Sequence, residues 1–127
     1  MTGVQTCALP ILEFINIFVK DGLPEKMDKK TKTNSKLGKN EWREYISSIW
    51  KFHPEHDRAH PAPFPVELPL RLIKLFSFTG DIILDPFIGS GTTALAAKMM
   101  KRHFLGYELN KIYIKLGKKR LKQYQSD

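Results

Sequence analysis

Hydrophobic positions in the second half of the chain follow two different periods, and the alternation between them lays out an architecture. Val66, Leu70, Ile73, Leu75 and Phe76 recur at helical spacing and stop before Thr79 and Gly80, which predicts a short helix ended by glycine. Ile82, Ile83 and Leu84 then form a continuous apolar run, as expected of a strand buried on both faces of a parallel sheet. Thr92 to Lys101 returns to helix, with Ala94, Leu95, Ala97 and Met99 as compact contacts. His103 to Tyr107 predicts a second parallel strand, and Asn110 to Tyr124 a basic amphipathic helix. Strand, helix and strand within about 30 residues make a βαβ unit with a right-handed crossover, the start of a doubly wound α/β sheet.

The first half is less regular. Trp42, Tyr45, Ile46, Ile49 and Trp50 predict an apolar face on a helix over Glu41 to Lys51. Five prolines between Phe52 and Pro69 require an extended or turning chain. Lys20 to Asn40 is polar and basic without periodicity and reads as a loop or linker. Val4 to Ile11 matches a common sequencing-library adapter translated in one frame, so residues 1–11 are expected to be a non-native scar. The expected division is therefore that scar, a basic linker over 12–40, and one folded unit over 41–127.

Composition narrows the setting. The 127 residues, 42% of them hydrophobic, suffice for one modest core. Lys and Arg outnumber Asp and Glu by 21 to 13, and the resulting charge of +8 favours polyanionic partners. A single cysteine, Cys7, excludes an internal disulfide and a cysteine-based zinc site and suits a reducing cytoplasm. No segment reaches the roughly 18 apolar residues of a membrane span. His53, His56, His60 and Asp57 raise a metal site, which the prolines among them and the lack of cysteine disfavour.

The chemistry concentrates at Gly89-Ser90-Gly91-Thr92-Thr93-Ala94. It satisfies Gly-x-Gly-x-x-Gly/Ala between a strand and a helix, with Glu108 at the end of the next strand. Glycines there allow close approach of a ligand, and a carboxylate about 20 residues on can take both ribose hydroxyls, so an adenosine-containing cofactor is implied. A phosphate-binding Walker loop would need a lysine that this turn lacks. Between a dinucleotide and S-adenosylmethionine, Asp85 favours the second: a carboxylate against the loop repels a pyrophosphate and pairs with an ammonium group.

The stretch Asp85-Pro86-Phe87-Ile88-Gly89-Ser90-Gly91-Thr92-Thr93 resembles the cofactor motif of the DNA amino-methyltransferases that act on adenine N6 or cytosine N4. His60 to Ile73 resembles the block that precedes this loop in members with permuted motif order, and Ser77 to Asp81 and Arg102 to Glu108 agree. The resemblance implies a Rossmann-like S-adenosylmethionine-dependent methyltransferase fold, in part: a parallel sheet with flanking helices. By position it implies that Asp85 binds the methionine amine, that Pro86, Phe87 and the backbone of Gly89, Ser90, Gly91 and Thr92 shape the pocket, and that Glu108 holds the ribose with Leu109 against adenine. His60, Ala62 and Phe64 would line the other side. Phe64 and Phe87 also suit a core, and Glu108 also suits a cap for the next helix.

The same family requires an Asp/Asn/Ser-Pro-Pro-aromatic tetrapeptide around the target amine, and no Pro-Pro occurs in this chain. The expectation is a C-terminal piece of a longer cytoplasmic enzyme. Residues 12–40 would belong to its target-recognition region. The piece would hold the cofactor-binding half, be inactive alone on double-stranded DNA, and self-associate through an unpaired sheet. The alternatives are a non-catalytic DNA-binding or regulatory module on the same fold, and an NAD-dependent oxidoreductase fragment.

Overall fold

The computed structural model describes residues 13–23, 26–52 and 64–124. Seven elements follow in order: α1 (Lys29–Asn34), α2 (Lys39–Tyr45), α3 (Glu67–Phe76), β1 (Ile82–Asp85), α4 (Thr92–Met99), β2 (His103–Gly106) and α5 (Lys111–Gln123). β1 and β2 are parallel, with Ile82 opposite His103, Ile83 opposite Phe104, Leu84 opposite Leu105 and Asp85 opposite Gly106. The βαβ unit and the basic last helix therefore stand where the hydrophobic periods put them.

α4 is the centre of the packing and touches both strands, α3 and α5. Its alanines explain why: Ala94, Ala96 and Ala97 are buried, and their small side chains let neighbours approach the helix axis closely. Ala96 and Ala97 form the core with Ile73 of α3, against which Val66, Leu70, Ile83 and Met100 pack. Pro69 sits in the first turn of α3, where its missing N–H removes no helix bond, so the proline-rich run does not prevent this helix.

The sheet departs from expectation. Ile82 is 69% and Leu84 59% exposed, and His103 and Leu105 beside them on that face are exposed too. The opposite face, with Ile83, Asp85 and Gly106, is the half-buried one, so the apolar run of β1 is covered on one side only. Among the described residues each strand has one neighbour.

Two further differences lie upstream. Lys29–Asn34 is helical although it falls in the expected linker, because Asp28 caps it: Oδ1 accepts the N–H groups of Lys30 and Thr31 at 2.8 and 3.0 Å. The Thr31 hydroxyl and those N–H groups hold the Asp28 carboxyl below its ordinary value. α2 stops at Tyr45, short of the Lys51 expected from the aromatic spacing. The indole of Trp50 turns back to donate to the Tyr45 carbonyl at 3.1 Å. Tyr45, Trp50 and Phe52 then surround the guanidinium of Arg71, with ring centroids 5.1, 5.6 and 5.1 Å away. Arg71 also pairs with Glu44 and Glu67, and Lys74 with Glu41, so α2 is fastened to α3 by charge and ring stacking.

Buried Arg102, just before β2, ties the end of α3 to the end of α4. It donates to the Ser77 carbonyl at 2.7 Å, the Met100 carbonyl at 2.6 Å and the Ser77 hydroxyl at 3.2 Å. Burial lowers its pKa from the ordinary arginine value, and nearby Asp81 opposes that shift.

Candidate functional site

The glycine motif begins where β1 ends. Tyr107 donates its N–H to the Asp85 carbonyl at 3.2 Å and Ile88 donates to the Tyr107 carbonyl at 3.1 Å, so the chain leaving β1 is tied to the end of β2. Ile88 folds over Gly106: a Cβ there would lie 2.2 Å from its Cδ1 and 2.8 Å from its Cβ. Gly89 and Gly91 have φ of 52° and 83°, the left-handed region that glycine occupies without strain. The Gly91 N–H closes the turn on the Ile88 carbonyl at 2.8 Å. Gly91 is also the N-cap of α4, whose first N–H groups and positive dipole end therefore lie at the loop.

Two carboxylates frame this turn. Asp85, half-buried at the end of β1, accepts the Phe87 N–H on Oδ1 at 2.9 Å. Glu108 lies two residues beyond the strand partner of Asp85 and accepts the Asn110 N–H on Oε1 at 2.6 Å. Asn110 in turn caps α5 by accepting the Ile112 N–H at 2.9 Å. The capping role that suits Glu108 is thus present, and it occupies one oxygen. Each carboxylate is oriented by a backbone N–H two residues on, and among the described residues no donor reaches its second oxygen. Both stand at the carboxyl ends of adjacent parallel strands, where ligands of open α/β sheets sit.

Apolar surface flanks the pair: Phe87 is 88% and Leu109 99% exposed. Phe64 is exposed as well, so neither phenylalanine belongs to the core. Ser90 and Thr92 are buried with their hydroxyls turned to Arg120 of α5, which also reaches the Ser90 carbonyl. Pro86 is exposed beside Phe87. His60 and Ala62 lie outside the described residues, as do His53, His56 and Asp57 of the metal reading. A cleft of about 630 Å³ between α1, α2 and α3, with Lys32, Lys36, Trp42 and Phe78 in its walls, lies away from the glycine turn. Volume does not mark the glycine turn; the carboxylates at the strand ends and the left-handed glycines do.

Arg120, Gly106 and Gly117 also shape the turn, and the sequence reading does not single them out. Glycine in the middle of an amphipathic helix, which costs about 1 kcal/mol against alanine, is the signal that flags Gly117.

A family model described as DNA methylase matches residues 9–119. The Type II methyltransferase M.MjaI of Methanocaldococcus jannaschii is 43% identical over 79% of this chain and 35% of its own length. M.BglI of Bacillus subtilis is 44% identical over 71% of this chain and 26% of its own. The chain thus spans about a third or less of these curated relatives. Among solved structures, TTHA0409 of Thermus thermophilus, described as a putative DNA modification methylase and solved with S-adenosyl-L-methionine, superposes with a TM-score of 0.73 at 39% identity. That match covers 82% of this chain and 41% of TTHA0409.

Proposed function

The chain belongs to the DNA methylase family of N6-adenine and N4-cytosine amino-methyltransferases, and from that premise we propose that it forms the S-adenosylmethionine-binding part of such an enzyme. The observation that carries this is the pair of carboxylates, Asp85 and Glu108, at the ends of adjacent parallel strands beside a left-handed glycine turn, each with one oxygen that no donor among the described residues reaches. Their chemistry fits a ligand with an ammonium at one end, a ribose diol at the other and no phosphate. When bound, S-adenosylmethionine supplies a methyl group made electrophilic by its sulfonium.

The residues of this chain bind and orient. The Asp85 carboxylate pairs with the ammonium, and the Glu108 carboxylate accepts from the ribose hydroxyls. Phe87 and Leu109 cover the apolar parts, and the glycines let the ligand approach the main chain. His60, Ala62 and Phe64 are proposed for the remaining wall. The substrate proposed for the whole reaction is an exocyclic amine of adenine or cytosine in double-stranded DNA, in the cytoplasm. The base must leave the duplex to react. No Pro-Pro-aromatic tetrapeptide occurs in the 127 residues, so this chain alone is expected to bind cofactor without turnover. The bare sheet face of Ile82, Leu84 and Leu105 is proposed to drive self-association of the isolated chain.

Calorimetry on the 127-residue chain with S-adenosylmethionine and, separately, NAD tests the reading. Heat of binding with the first and none with the second is expected; the reverse would overturn it in favour of an oxidoreductase. A radiolabelled methyl-transfer assay on plasmid DNA should give no product, and turnover would show that the missing tetrapeptide is dispensable. Among the described residues no helix is long and apolar enough to cross a membrane.

A further inference from the structure

The geometry points to Arg120 as a positioning residue that holds the glycine turn in its ligand-accepting shape, an inference that rests on the S-adenosylmethionine reading of that turn. One guanidinium nitrogen of Arg120, Nη1, lies 3.2 Å from the Ser90 hydroxyl, 3.1 Å from the Thr92 hydroxyl and 3.4 Å from the Ser90 carbonyl. These groups straddle Gly91, the residue whose left-handed backbone starts α4. A turn with two glycines has many accessible conformations, so a contact from outside it is needed to select one.

Gly117, three residues earlier on the same face of α5, makes that contact possible. A Cβ on Gly91 would lie 3.2 Å from the Gly117 Cα, and one on Gly117 would lie 3.2 Å from the Ser90 carbonyl oxygen. The two backbones meet because neither carries a side chain. α5 is itself fixed at its far end by Lys98 of α4, which donates to the Leu121 and Tyr124 carbonyls at 2.9 and 3.0 Å. The helix that begins next to Glu108 therefore runs back along α4 and braces the turn beside Asp85. It couples the two carboxylate ends of the site.

Affinity falls in proportion to the fraction of molecules whose turn is correctly shaped. In the 127-residue chain, Arg120→Met is expected to raise the S-adenosylmethionine Kd about tenfold. Arg120→Lys, which keeps the charge but lacks the planar, pre-organised guanidinium, should raise it about threefold. Without ligand, hydrogen exchange at Gly91, whose N–H is held by the Ile88 carbonyl, should quicken in Arg120→Met while β2 and α3 keep their protection. An unchanged Kd with unchanged exchange at the turn overturns the proposal. So does exchange that rises equally everywhere, or a lysine variant as impaired as the methionine one, since either marks a general loss of structure. If the wild-type chain binds no S-adenosylmethionine, the cofactor reading fails, and exchange at the turn in the unliganded variants still decides the role of Arg120. Should Arg120→Met not fold, the lysine variant carries the same two measurements.

Discussion

Asp85→Ala is expected to weaken S-adenosylmethionine binding about a hundredfold or more, read by calorimetry on the 127-residue chain. A charge-assisted hydrogen bond to an ammonium in a half-buried position contributes about 1.5–3 kcal/mol, and a hundredfold loss corresponds to the upper part of that range. The side chain also serves the fold, because Oδ1 holds the Phe87 N–H at 2.9 Å. Asp85→Asn separates the two duties. Asparagine retains an oxygen for Phe87 but carries no charge, so it should keep the wild-type melting temperature and still bind nearly as poorly as alanine. Binding by Asp85→Asn within about threefold of wild type would remove the ammonium pairing and leave Asp85 as a turn-former only.

The sequence shows what depends on neighbouring residues and hides what depends on distant ones. β1, α4, β2 and α5 each carry their own period, and the glycine turn sits at the junction of two, so the place of the site is legible in the order of residues alone. The exposure of Ile82 and Leu84 is not legible in this way, because an apolar run says which strand wants covering and not what covers it. The helical spacing overextends α2 for a related reason: Ile49 and Trp50 keep the period, yet Trp50 gains more by closing on the Tyr45 carbonyl and stacking near Arg71. α1 escapes a periodicity reading because it has no apolar face, and its only local sign is the Asp28 cap. Arg120 is hidden among the lysines of α5; nothing in its neighbours tells that it faces the glycine turn.

The largest effect on the fold is expected at Gly106, where alanine should destabilise the chain by about 2–3 kcal/mol through overpacking and lower its melting temperature by roughly 10 °C. Backbone conformation is not the obstacle, since Gly106 is absent from the left-handed glycines and strand geometry accepts alanine. The obstacle is Ile88, whose Cδ1, Cβ and Cγ1 would lie 2.2, 2.8 and 3.0 Å from the added methyl. Cδ1 can swing aside by rotation. Cβ can move only with the main chain of the turn, and that main chain is tied to β2 by the Ile88 N–H on the Tyr107 carbonyl at 3.1 Å. The displacement must therefore run into the segment that carries Asp85 and Gly89, and cofactor affinity should fall along with stability. Ile88→Ala removes Cγ1 and Cδ1 but leaves Cβ, so the double variant Gly106→Ala with Ile88→Ala should recover only part of the loss. A double-mutant cycle should give a coupling of about 1 kcal/mol. A Gly106→Ala protein as stable as wild type would mean that Ile88 does not press on β2, and the turn beside Asp85 would then owe its shape to Arg120 and α5 alone.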